Sequence, residues 1–156
     1  MDKAKVQAAL LAVLKEELAA VLAAAKAATA AATDPDSKAE NKYDTRTLEA
    51  SYIARGQALR VAELQAAVDT FAAMGLREFA PGQSISTGAL IRVKSGGEPS
   101  CYLMAPVAGG TEVKFGGEEV MVITPSSPLG QRLNGRKAGD MVTLHTGAQA
   151  EVLGVF

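Results

Sequence analysis

From Lys3 to Ala32 no glycine or proline interrupts the chain, and alanine, the best helix former, dominates. Leu11, Leu14, Leu18 and Val21 recur at steps of three and four residues, and Ala25, Ala28 and Ala32 continue them. That spacing predicts a long helix with a heptad-like seam. Val6, Leu10 and Val13 widen its apolar face near the start. A second run, from about Asp44 to Met74, places Ala50, Ala54, Gln57, Val61, Leu64, Val68 and Phe71 at the same steps. Small residues come last on the first helix and first on the second. The size gradients match only in an antiparallel hairpin, with Ala25–Ala32 facing Ala50–Ala54 near the tip and Leu11–Leu18 facing Val61–Phe71 at the base. Each arm of roughly 28 to 35 residues extends roughly 40 to 50 Å at about 1.5 Å per residue.

Between the two runs lies the charged stretch Thr33 to Leu48, TDPDSKAENKYDTRTL, read as the hairpin tip. Asp34-Pro35 has the form of a helix start, and Ser37-Lys38-Ala39-Glu40 that of a capping box. Asp34, Asp36, Glu40 and Asp44 gather four carboxylates there among Lys38, Lys42 and Arg46. Glu40 and Asp44 share a helical face. These acids suit two roles: favourable charge at a helix N-terminus on a soluble surface, or a carboxylate site for a metal. Gly56, inside the second helix, is either a bend or a tolerated surface glycine, and Gly75 marks the helix end.

After Glu78 the period changes to two. LIRV (90–93), CYLM (101–104), EVKF (112–115), EVMVI (119–123), DMVTLH (140–145) and EVLGVF (151–156) are short β-like runs. Gly96-Gly97, Gly109-Gly110, Gly116-Gly117 and Thr146-Gly147 separate many of them, as hairpin turns do. Within SSPLGQRLNG (126–135), Ser127 is a cap, Pro128 suits the first helical position, and Asn134-Gly135 ends the turn. The expectation is an antiparallel sheet of about five strands carrying one short helix. The fold class is therefore α+β, with a hairpin domain over 1–77, its tip at about 33–44, and a β domain over 78–156.

Charge narrows the function. A net charge of −1 and a balance kept in both halves argue against general affinity for nucleic acid. Cys101 is the sole cysteine and His145 the sole histidine, which excludes an internal disulfide, a paired-cysteine metal site and a multi-histidine cluster. Cys101 alternates with apolar neighbours and reads as a small core residue, and His145 as structural or exposed. No stretch is apolar enough for a membrane span, so the reading is soluble and cytoplasmic. No catalytic triad or phosphate-binding glycine loop is present.

Two stretches together resemble the Gre family of bacterial transcript cleavage factors. SPLGQRLNGRKAGDMVTL (127–144) is similar to that family's C-terminal signature, and AENKYDTRTLEASYIARGQA (39–58) to the stretch opening its second coiled-coil helix. The order of parts also matches, a coiled-coil hairpin followed by an FKBP-like domain. The resemblance implies an RNA polymerase-binding elongation factor. Its C-terminal domain docks on the rim of the secondary channel, through Ser127, Pro128, Leu129 and Gly130. Its tip enters the channel, with Asn41 and Tyr43 also against polymerase. Asp36 and Glu40 would act in catalysis and, with Asp44, hold a Mg²⁺ shared with the polymerase, whose own site then cleaves backtracked RNA. The resemblance thus implies no active site and no cofactor of the chain's own. The family's tip pattern has Asp three residues before Glu-Asn; here Ser37 stands there, with Asp36 one step earlier. The alternative is a channel-binding regulator or inhibitor without cleavage activity. A prolyl isomerase is a third reading, weakened by few aromatics in the β domain: Phe79, Tyr102, Phe115 and Phe156.

Overall fold

The computed structural model describes residues 2–33, 46–97, 99–144 and 146–156. The carboxylates of the expected tip and His145 lie outside them. Two helices, α1 (Lys3–Thr33) and α2 (Arg46–Ala73), precede six strands and one short helix. The strands are β1 (Leu90–Lys94), β2 (Pro99–Met104), β3 (Glu112–Phe115), β4 (Glu118–Ile123), β5 (Met141–Thr143) and β6 (Gln149–Val155), with α3 (Pro128–Leu133) between β4 and β5. No helix among the described residues is long and apolar enough to cross a membrane. The chain divides into two compact units, Met1–Val13 with Asp69–Phe156, and Leu14–Val68.

In the unit Leu14–Val68 the burial follows the expected seam. On α1, Leu14 and Ala25 are buried and Leu18, Val21 and Ala28 half-buried, while the positions between them are exposed. On α2, Ala54, Gln57 and Val61 are half-buried and Leu64 and Val68 buried. The seam positions Ala32 and Ala50 lie outside what is described. Arg60 of α2 pairs with Glu17 of α1 at 2.9 Å. In the other unit, Gln7 donates from Nε2 to the carbonyls of Phe71 at 3.2 Å and Met74 at 3.0 Å. Partners early on α1 thus lie late on α2, the pairing of an antiparallel hairpin. Asp2 starts α1, accepting from the Lys5 amide at 3.2 Å.

That same unit holds Val6, Leu10 and Phe71, all fully buried, and a contact that local patterning does not foretell. Lys3 donates from Nζ to the carbonyls of Arg77, Gly88 at 3.2 Å and Phe156 at 2.6 Å. The same ammonium sits 4.9 Å from the centre of the Phe79 ring. Burial pushes its pKa below the usual lysine value, against the pull of Glu78.

Each of the six β-like runs contributes a strand, where a sheet of about five was expected, and the sheet is mixed rather than antiparallel, in the order β3-β4-β2-β1-β6-β5. β4 runs parallel to β2, with Cys101 beside Val120 and Met104 beside Ile123, and every other neighbouring pair is antiparallel. Gly109-Gly110 is therefore not a hairpin turn. The segment 105–111 carries the chain across the end of a slot that β4 later fills. Ala105 donates to the Ile123 carbonyl at 2.9 Å and Gly110 to that of Val122 at 2.8 Å. Spanning two strand spacings takes about 10 Å, which a tight two-residue turn cannot cover.

Candidate partner-docking site

The signature around α3 becomes intelligible atom by atom. Ser127 has extended backbone, φ −68° and ψ 154°, and its hydroxyl oxygen accepts from the Gly130 amide at 3.1 Å. The same hydroxyl donates to the Thr124 carbonyl at 2.8 Å, and the Ser127 amide donates to it at 3.0 Å. The Thr124 carbonyl is thereby folded inward over the first turn. Pro128 takes the first helical position, where no amide hydrogen is needed. Leu129 packs against the domain core. Gly130 admits the Thr124 carbonyl: a Cβ there would stand 1.8 Å from its oxygen. Ser-Pro-Leu-Gly is thus a cap, a helix start, an apolar anchor and a backbone contact.

The rest of the signature closes the turn. Gly135, at φ 80°, donates to the Ile85 carbonyl at 2.8 Å. The Asp140 carboxylate accepts from the Lys137 amide at 2.9 Å, and Gly139, at φ 90°, donates to Val152 of β6 at 2.8 Å. Arg132 donates to the Thr143 carbonyl at 2.8 Å, tying α3 to β5.

Beside α3 lies an apolar cleft of about 690 Å³. Tyr102 and Met121, cross-strand neighbours on β2 and β4, share one sheet face as its floor, while Gly109, Ser127, Leu129 and Leu144 stand around it. Three of the four docking residues expected from sequence, Ser127, Pro128 and Leu129, line it; Gly130 is buried and does not. Tyr102, Met121 and Leu144 were not expected from sequence to line a site; period two along CYLM and EVMVI sets each residue's face on its own strand, but the pairing of Tyr102 with Met121 comes from the parallel insertion of β4. Among the described residues Tyr102 is the one aromatic ring in the lining, a poor match to an aromatic-walled proline pocket.

Asp36, Glu40, Asp44, Asn41 and Tyr43 lie outside the described residues. Among the described residues no group of three or more His, Cys, Asp or Glu side chains stands ready for a metal. Glu112 and Glu119 share a hydrogen bond that raises the Glu112 pKa above the ordinary carboxylate value. On the opposite sheet face Cys101 is buried and donates to Glu118 at 3.2 Å, and Glu118 also pairs with Arg92. Burial first, then Glu118, pushes the Cys101 thiol from 9.0 up to about 11. It is a core thiol rather than a nucleophile. Alkylation of the folded chain at pH 8 is expected to be at least about a hundredfold slower than of the chain unfolded in urea, measured by mass spectrometry. Because the folded state holds this proton more tightly, the stability it contributes is full below pH 9.0 and is lost as pH rises towards about 11.

No family model and no curated protein matches this chain. Among solved structures it is similar to the GreA factor homolog 1 (Gfh1) protein of Thermus thermophilus, at 19% identity over 95% of each chain, with a TM-score of 0.38. A further structure of the transcription factor Gfh1 aligns at 19% identity over 94% of this chain and 93% of that one, with a TM-score of 0.41. Gfh1 of Thermus aquaticus aligns at 20% identity over 94% of each chain, with a TM-score of 0.38.

Proposed function

We propose that this chain is a Gre-type transcription factor that binds RNA polymerase in the cytoplasm, docks through the cleft beside α3, and presents its hairpin tip to the secondary channel. The observation that carries the reading is the α3 turn. Its Ser-Pro-Leu-Gly signature builds a rigid wall for an exposed apolar cleft of about 690 Å³. An apolar cleft bounded by satisfied backbone is suited to one inserted apolar side chain of a protein partner. The two-helix seam, buried along one face of α1 and α2, suits an arm that carries a charged tip to a distance.

In this reading bond breaking belongs to the polymerase. Asp36 and Glu40 would supply carboxylate oxygens, the donor type Mg²⁺ takes, with Asp44 nearby and Asn41 and Tyr43 against the channel wall. Such a cation supplies charge stabilisation and an activated water at the phosphate. The test is transcript cleavage in purified backtracked elongation complexes. Adding the chain is expected to restart cleavage, and Asp36→Ala with Glu40→Ala to abolish that stimulation while polymerase pull-down persists. Full stimulation by the double variant would remove the tip acids from the mechanism.

The second reading, a channel-binding regulator without cleavage, is favoured by Ser37 standing three residues before Glu40, where the family pattern has Asp. Pull-down of polymerase with no stimulated cleavage by the parent chain would select it.

A further inference from the structure

The outward side of α2 carries a second stripe. Leu48, Tyr52, Arg55, Leu59, Ala62 and Ala66 recur at steps of four and three, about half a turn from the buried seam. All are exposed; Leu48, Tyr52 and Leu59 are 55%, 67% and 60% accessible. Single exposed apolar residues are ordinary, but three large ones in line on one helix face are not.

The stripe is self-complementary. When two copies of α2 are laid antiparallel about a two-fold axis at Leu59, the Leu59 side chains meet each other. Tyr52 then opposes Ala66 of the other copy, large against small, at both ends. Arg55 falls opposite Glu63, and the symmetry makes this ion pair twice. Glu63 is free to turn outward, being 72% accessible and only loosely held by Arg60 of its own helix at 3.9 Å. A parallel arrangement would place Arg55 against Arg55.

We propose that the outer stripe of α2 is an interaction surface for a second copy of this chain, packed antiparallel about Leu59 with reciprocal Arg55–Glu63 pairs. A contact along one helix face is small beside the roughly 1,200–2,000 Å² of a stable standard interface, so the association is expected to be weak and reversible. A copy seated there covers the side of the hairpin that any other partner of that face would need.

Sedimentation equilibrium of the full chain, from low micromolar to near-millimolar concentration, reads the proposal. A monomer–dimer equilibrium is expected. Leu59→Glu, which sets two carboxylates together on the axis, is expected to raise Kd at least about tenfold with unchanged far-UV circular dichroism. Arg55→Glu and Glu63→Arg are each expected to raise Kd about fivefold, and the double charge swap to restore it to within about twofold. A chain monomeric throughout, or a double variant no tighter than the singles, would overturn the proposal. So would a monomeric chain whose Leu59→Glu variant instead loses polymerase pull-down, which would give the stripe to the larger protein.

Discussion

Gly130→Ala is expected to break the α3 turn and with it the docking cleft. The added methyl would stand 1.8 Å from the Thr124 oxygen, 2.8 Å from its carbonyl carbon and 2.9 Å from the Ser127 hydroxyl. None of the three can yield cheaply. The carbonyl is backbone, and both it and the hydroxyl are held by the Ser127 hydrogen bonds that cap the helix. Relief requires α3 to lift from the sheet, which uncovers Leu133 and Leu129 and releases the bond from Arg132 to Thr143. The expected cost is about 3 kcal/mol or more, the upper range for overpacking a buried site. It is read as a fall in urea midpoint and, on the proposed reading, a loss of polymerase pull-down with it. Gly56→Ala is the contrasting substitution. Nothing lies within 4 Å of the Cβ it adds. On an exposed helix it is expected to stabilise by about 0.5–1 kcal/mol. Equal effects from the two would remove the backbone contact as the reason for glycine at 130.

Phe71→Ala is expected to cost about 3–5 kcal/mol. Its side chain is fully buried and is the largest such side chain among the described residues. Removing the ring leaves a cavity beside main chain that cannot collapse freely, because the Phe71 carbonyl accepts from Gln7 and the neighbouring Met74 amide donates to it at 3.3 Å. Against a total stability of about 5–15 kcal/mol for a domain, that loss is a large fraction. The urea midpoint should fall with little change in slope. Met141→Ala, at a strand residue 54% accessible, is expected to stay within about 0.5 kcal/mol. A Phe71→Ala midpoint equal to that of Met141→Ala would contradict the burial the structure assigns.

Much of the architecture was legible because its causes are local. The three- and four-residue steps of Leu14, Leu18, Val21 and Ala25, and of Val61, Leu64 and Val68, marked the seam side chain by side chain. A helix repeats its face at that period whatever it packs against. Each β run was visible for the same reason at period two. Ser127, Pro128 and Asn134-Gly135 marked the bounds of α3, since capping involves only groups within one turn. What the acids of the tip do stayed open between helix charge and metal, because convergence of carboxylates depends on backbone geometry that spacing leaves free.

The strand order was not legible. Glycine pairs announce a turn but not whether its flanking strands become neighbours, and the segment 105–111 turned out to leave room for β4. Nor could the sequence announce Lys3, whose acceptors lie 74, 85 and 153 residues away, or Gly130 as the seat of the Thr124 carbonyl. By itself, then, the sequence determined the helices, the strands and the cap of α3, set by neighbours within a few residues, and, through the matched size gradients of the two helices, their antiparallel seam. Only the tertiary structure decided the parallel insertion of β4, the Lys3 tie and the cleft of Tyr102, Met121 and Leu129. Those depend on which distant backbone groups and apolar faces close on one another when the chain becomes compact.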